Sequence, residues 1–104
     1  MNDQILKEIG LTDSEIKVYF ALLKIGESSK GEIVRQSRIS SSKIYEVTDK
    51  LIDKGLVSYI FKNKIKYFKA SPPSRLKEYL DEKQRELENQ QEELDAIIPE
   101  LEKH

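Results

Sequence analysis

The apolar residues of this chain change period twice, and those two changes set the order of its elements. Up to Gly55 they recur at three- and four-residue spacing: Ile16, Tyr19, Phe20 and Leu23, then Ile33 and Val34, then Ile44, Val47, Leu51 and Ile52. That spacing is one face of a helix, met three times. From Leu56 the period shortens toward two, in the β-branched and aromatic run Leu56-Val57-Ser58-Tyr59-Ile60-Phe61. Ile65-Lys66-Tyr67-Phe68-Lys69 answers it across the short loop Lys62-Asn63-Lys64, which predicts a β-hairpin. Pro72-Pro73 breaks the strand pattern, and Leu80, Leu87, Leu94 and Leu101 then repeat every seven residues. Leu76, Lys83, Gln90 and Ile97 occupy the alternate positions of the same seam. The expected fold is mainly α with a small β-hairpin (α+β), ending in one long helix.

Local signals mark the boundaries. Thr12 with Glu15, and Ser29 with Glu32, have the spacing of capping boxes, in which each side chain satisfies a free backbone N–H at the other end of a helical turn. Gly26 ends the first of these helices, and the second stops around Ser37. Arg38-Ile39-Ser40 is a tight connection, with Ser40 the expected N-cap of a third helix over 40–54. Gly55 stops that helix. Ile5, Leu6 and Ile9 predict a short lead-in turn or helix before Gly10. A final helix is expected to start at Pro72-Pro73 and run for roughly 30 residues. Pro99 is expected to kink or loosen its last turn.

Composition excludes several classes of chemistry. The chain has no cysteine, so disulfides, thiolate catalysis and cysteine zinc sites are out. Its single histidine is His104, and no glycine-rich phosphate loop or H-E-x-x-H spacing occurs; no enzyme, cofactor or metal is expected. With 36% charged residues and a mean hydropathy of -0.62, the chain has no apolar run near the roughly 18 residues of a membrane span. Met1 to Gly10 shows no signal-peptide core, and a cytoplasmic location is the default expectation. The net charge of -1 hides an uneven distribution. Residues 30–69 carry ten basic and four acidic side chains, a balance of +6, whereas residues 71–104 carry five and ten, a balance of -5. A basic middle suits phosphate, and an acidic heptad helix suits another protein chain.

Two helices joined by a tight turn, followed by a basic hairpin, form a winged helix-turn-helix, expected over residues 1–71, with residues 72–104 as a coiled-coil-like dimerisation helix. With Ile44, Val47 and Leu51 inward, the third helix presents Ser40, Ser41, Ser42, Lys43, Tyr45, Glu46 and Lys50 to the major groove. Serine hydroxyls and free N–H groups at a helix start can hold a phosphate. Tyr45 suits a base edge or thymine methyl, and equally half-burial against the wing or first helix. Glu46 can accept from a cytosine amino group; its plainer role, shared by Asp49, is in helix-stabilising pairs such as Glu46 with Lys50. Lys62, Asn63, Lys64 and Lys66 form the wing, 56–70, expected on the flanking backbone. Standing alone they would read as a solvated turn; behind a recognition helix, DNA contact is favoured. Tyr19 and Phe20 are expected in the core. A head of about 70 residues cannot cover a helix about 45 Å long, so Leu76, Leu80, Lys83, Leu87, Gln90, Leu94, Ile97 and Leu101 are expected to meet a second copy. Lys83 and Gln90 would weaken a tight zipper or fix its register.

Three strings carry a family resemblance: LTDSEIKVYFALLKIG, SKIYEVTDKLIDKGLV, and KYFKASPP leading into the long helix. Over Leu11 to Pro73 the chain resembles the TrmB family of archaeal and bacterial regulators, with a more distant likeness to MarR-type winged helices. The resemblance implies DNA-binding transcriptional regulation and a dimer. Full-length members carry a C-terminal sugar-binding domain after the coiled-coil helix; this sequence ends at His104, and sugar sensing is not carried over. The expected function is therefore a homodimeric, sequence-specific regulator on a palindromic double-stranded DNA site. The rivals are a winged-helix protein-interaction module, which has no need of ten cations in residues 30–69, and an architectural binder without sequence preference, for which Glu46 and Asp49 are unwelcome. No effector is identified; the seam around Lys83 and Gln90, or the crevice between head and tail, is where one is expected if it exists.

Overall fold

The structure, a computed structural model, describes residues 3–104; Met1 and Asn2, the first residues of the expected head, lie outside the described residues. The elements follow in the order α1 (Gln4–Glu8), α2 (Asp13–Ile25), β1 (Ser28–Ser29), α3 (Lys30–Ser37), α4 (Ile44–Asp53), β2 (Val57–Lys62), β3 (Ile65–Ala70) and α5 (Arg75–Glu102). The Thr12–Glu15 capping box forms as its spacing predicts: Thr12 Oγ1 accepts from the Glu15 N–H at 3.2 Å, and Glu15 Oε1 accepts from the Thr12 N–H at 3.3 Å. At the start of α3, Glu32 Oε1 accepts from both the N–H and the hydroxyl of Ser29, at 3.2 and 3.0 Å.

The core lies where α2, α3 and α4 meet the sheet. Ile16, Tyr19 and Leu22 of α2, Ile33 of α3 and Ile44, Val47 and Leu51 of α4 are buried against Leu56, Val57 and Phe68, while Phe20 packs at the edge. The Tyr19 hydroxyl is buried with no hydrogen-bond partner, and burial holds its pKa above the ordinary phenol value.

The sheet has three antiparallel strands in the order β1-β3-β2. Its third strand escapes a periodicity argument, because two serines contain no alternation to detect. Ser28 and Ser29 pair with Phe68 and Tyr67, and Ser28 is fully buried with its hydroxyl donating to the Gly26 carbonyl at 2.7 Å. The hairpin loop is one residue shorter than expected. Lys62 belongs to β2, and Asn63 and Lys64 alone make the turn, at φ 52 and 66. Positive φ at both central residues gives a turn whose twist matches that of the strands it joins.

Two boundaries differ from expectation. Helix α4 begins at Ile44, not Ser40, and Ser40 is not its N-cap; residues 41–43 form a turn whose Lys43 N–H donates to the Ser40 carbonyl at 3.0 Å. The Ser40 and Ser42 hydroxyls face each other at 3.3 Å. Consecutive serines bond locally and so compete with helix formation, which explains the delayed start. Helix α5 begins at Arg75 after a turn over 72–74, in which the Arg75 N–H donates to the Pro72 carbonyl at 2.9 Å. It then continues through Pro99 to Glu102. Of α5, Leu76 and Tyr79 pack against the head, and no residue of that helix is fully buried.

One ion pair ties this scaffold together. Glu15 is 1% exposed, and its second carboxylate oxygen accepts from Lys54, the residue that caps the C-terminal end of α4. An anion thus sits at the positive end of α2 and a cation at the negative end of α4, the favourable arrangement at both helix ends. Substituting Lys54→Met keeps the side chain's apolar stem but leaves Glu15 buried without its cation. We expect a loss of about 2–3 kcal/mol in urea unfolding, below the roughly 3–5 kcal/mol of a fully enclosed pair because Lys54 is partly exposed. The exposed Lys50→Met control, which breaks only the Glu46 pair, should cost no more than about 0.5 kcal/mol.

Candidate nucleic-acid interface

The outer face of α4 and the preceding turn carry Ser41, Ser42, Lys43, Tyr45, Glu46, Asp49 and Lys50, all exposed. Burial of Ile44, Val47, Thr48 and Leu51 on the opposite side forces this, since residues three and four apart share a face. Ser40 is exposed just upstream, and its hydroxyl, with that of Ser42, stands beside the turn. Glu46 and Lys50 form the anticipated i,i+4 pair at 3.4 Å. Such an exposed pair contributes only about 0.3–0.5 kcal/mol and opens readily for a phosphate.

Tyr45 is half-buried against the wing, the second of its two expected roles. It is 46% exposed, yet its ring lies 6.2 Å from the ring of buried Phe68. Two ammonium groups sit by the same ring: Lys30 at 4.7 Å from its centroid and Lys66 at 5.7 Å. Lys66 is also 4.2 Å from the centroid of Tyr59, and Tyr59 meets Phe61 edge-on at 5.8 Å. A row of alternating rings and cations therefore runs from α4 outward along the wing.

Strand register explains which wing residues join that row. Directly paired residues share a face of the sheet, and the pairs Tyr59↔Phe68 and Phe61↔Lys66 put those four together. Lys62 pairs with Ile65 and so falls on the other face, with Ile60 and Tyr67. There its ammonium donates to Glu27 Oε2 at 2.5 Å and lies 5.6 Å from the Tyr67 ring centroid. That hydrogen bond, and then the charge of Glu27, raise the pKa of Lys62 above the ordinary lysine value. Asn63 and Lys64 are exposed at the tip. Lys62 and Lys66, which adjoin the same basic tip in sequence, are thus parted by the two-residue turn. Lys30, Tyr59 and Phe61 are additions to the face that sequence reasoning missed. The signal for the last two was present: a two-residue turn at 63–64 dictates the pairing.

The tail places its seam residues in two groups. Leu76 packs partly on the head core, and Lys83 donates to the Ile9 carbonyl at 2.7 Å, so both already have partners within one chain. Leu80 between them, and Leu87, Gln90, Leu94, Ile97 and Leu101 beyond, are exposed. One crevice between head and tail is lined by charges of both signs, among them Lys50, Lys54, Asp53 and Glu82, and another lies where Ile9 faces Leu80, Lys83, Leu87 and Gln90.

Helices packed around a tight turn and followed by a two-stranded wing define a winged helix-turn-helix. The chain belongs to the TrmB family, described as sugar-specific transcriptional regulators, whose family model matches residues 6–74. It is similar to the HTH-type sugar sensing transcriptional regulator TrmBL1 of Pyrococcus furiosus, at 37% identity over 57 residues, which is 55% of this chain and 17% of that protein. The chain therefore spans a small part of that relative's length. Among solved structures it resembles TrmBL2, described as an archaeal chromatin protein with a novel mode of DNA binding, at a TM-score of 0.82 and 19% identity, covering 95% of this chain and 38% of that one. It also resembles the ST1889 protein of Sulfolobus tokodaii, at a TM-score of 0.64 and 21% identity over 83% of this chain and 89% of that one. A MarR family transcriptional regulator from Silicibacter pomeroyi matches at a TM-score of 0.61 and 18% identity over 92% and 65% of the two chains. These structural likenesses are of fold.

The ring of Tyr45, not its hydroxyl, holds the cations. Tyr45→Phe should therefore change stability by less than about 0.5 kcal/mol. Tyr45→Ala removes two cation–ring contacts and the packing on Phe68, and should lower stability by about 1 kcal/mol even after alanine's higher helix propensity offsets part of the loss. Urea unfolding of the two variants checks this.

Proposed function

We propose that this protein binds double-stranded DNA as a homodimer and regulates transcription, with the 41–53 segment in the major groove and the wing on the adjoining backbone. The observation that carries this reading is the continuous face from Lys30 and Tyr45 through Lys66 to Tyr59, joined to the exposed Lys43, Lys50 and Lys64. Cations flanking a protruding helix suit phosphates on both sides of a groove, and the polar face of α4 between them suits base edges. Within that face Ser41, Ser42, Tyr45 and Glu46 are the candidates for base contact, and Lys43, Lys50, Lys64 and Lys66 for phosphate. Family membership supports the regulatory role. No helix among the described residues is long and apolar enough to cross a membrane, and action in the cytoplasm is part of the same proposal.

Dimerisation is supported by the uncovered apolar edge of α5, where Leu80, Leu87, Leu94, Ile97 and Leu101 are 47 to 59% exposed. A single chain leaves those side chains in water, and a second copy of the helix covers them at heptad spacing. Two-fold symmetry then implies a palindromic site whose half-sites lie about one helical turn, or a multiple of it, apart.

Fluorescence anisotropy on a labelled duplex from the gene's own upstream region tests the reading. We expect binding tighter than to a scrambled duplex, and weakening as salt rises. The slope of log affinity against log salt should fall by about 2 in Lys64→Ala/Lys66→Ala, roughly 1 per lost phosphate contact. Saturation should occur at two chains per site, and Leu87→Lys/Leu94→Lys should abolish that stoichiometry. Absence of binding at low salt to either duplex would replace the reading with a protein-interaction role.

A further inference from the structure

On the reading just given, the wing has a feature that phosphate contact does not use. Phe61 is 64% exposed, more than any other large apolar side chain among the described residues. It is not a stray surface residue. It pairs directly with Lys66, on the sheet face that also carries Tyr59 and Phe68, and its ring meets Tyr59 edge-on at 5.8 Å and 86°. Tyr59 in turn holds the Lys66 ammonium at 4.2 Å, and Lys66 reaches the Tyr45 ring of the recognition helix. Phe61 thus ends a braced row that begins on α4 and runs out along the hairpin. The wing projects here as a two-stranded ribbon, because β1 pairs only with Tyr67 and Phe68. The turn beyond it spans only two residues, so the strand that carries the ring is held close to the tip.

We propose that Phe61 is a wedge for duplex DNA: with α4 in the major groove, the wing face enters the adjoining minor groove and the Phe61 ring inserts between two base pairs, opening the step and bending the duplex. Charge selects this occupant over an apolar protein surface. Lys66 across the strand pair and Lys64 at the tip adjoin the ring, and an apolar protein surface covering Phe61 would strip water from both without supplying anions. A minor groove supplies phosphates along both walls and stacked apolar base faces between them. Apolar side chains that enter this way unstack a step and kink the duplex by roughly 20–90°. The bend should favour pyrimidine–purine steps, which open most easily. Tyr59 is a positioning residue in this scheme: it stands behind the ring and keeps it from folding back against the strand.

The test uses the full chain and the duplex that binds in the anisotropy experiment, cut to about 30 base pairs and labelled with a fluorophore at each end. Wild-type protein should raise energy transfer between the ends. Phe61→Leu, which keeps an apolar wedge, should retain most of that rise. Phe61→Ala should still bind, within about tenfold of wild type, and leave the ends at the free-duplex distance. 2-Aminopurine at a flanking pyrimidine–purine step should brighten with wild type and with Phe61→Leu, and stay quenched with Phe61→Ala. Circular dichroism should show the same fold for all three, since the side chain is exposed. Bending by Phe61→Ala equal to wild type, or tight binding by wild type without bending, would overturn the wedge while leaving the DNA-binding reading intact. Absence of wild-type binding in the anisotropy experiment would overturn both.

Discussion

A single buried carboxylate fixes α4 on the scaffold of this fold. Glu15 closes the N-terminal end of α2 through its own capping box and the C-terminal end of α4 through Lys54. The two helices also share the core residues Ile16, Tyr19 and Leu22 on one side and Ile44, Val47 and Leu51 on the other. Apolar packing is tolerant of small rotations, whereas a buried charge must find its partner at a fixed place. The pair therefore converts a greasy contact into a defined angle between α4 and the scaffold, and every residue on the outer face of α4 takes its direction from that angle. Phe68 does the same for the wing: it is fully buried beneath Tyr45, so the hairpin leaves the head at the flank of α4.

The tail is attached by a second joint of different chemistry. The Lys83 ammonium donates to the Ile9 carbonyl, and Gly10 follows at φ +114, a conformation that side-chain-bearing residues rarely adopt. A Cβ on Gly10 would stand 2.7 Å from the Lys83 nitrogen and 3.1 Å from the Tyr79 hydroxyl, so the first turns of α5 press on the backbone of the head. Leu76 and Tyr79 add apolar contact there. Leu76, Tyr79 and Lys83 thus serve the head, while Leu80 and the apolar residues after Lys83 are left for a second copy on the proposed dimer. On the proposed dimer, this joint sets where each head stands relative to its partner, and so the spacing of half-sites that the pair can span.

What was legible in the sequence was local or periodic. Both glutamates of the capping boxes act within a few residues of their partners, the Asn63 turn announces itself between two β runs, and the heptad of the tail is a repeat. The features that escaped depend on contacts across the chain or on elements too short to show a period. Lys54 meets Glu15 across 39 residues, and nothing near either one signals the other. Ser29 reads as a cap and Ser28 carries no signal of its own, because the strand character of both comes wholly from Tyr67 and Phe68 beside them. Propensity alone makes Ser40 the cap of α4, and the same serine run is what delays the helix. The heptad position of Lys83 places it in the seam and carries no information about a head-domain carbonyl. The separation of Lys62 from Lys66 was within reach, since a two-residue turn and strand alternation together imply it.

On the proposed function, α4 and the wing face that carries Tyr59 and Phe61 act as one surface toward DNA. The most direct measurement follows the aromatic side-chain NMR signals of the protein while a binding duplex is added. Tyr45, Tyr59 and Phe61 lie on that surface, Tyr67 lies on the opposite face of the same hairpin, and Tyr19 is buried in the core. Tyr45, Tyr59 and Phe61 should shift strongly, Tyr67 weakly and Tyr19 hardly at all. Strong shifts at Tyr67 with Tyr45 and Tyr59 unmoved would mean that the wing meets its ligand with its other side, and would contradict that reading.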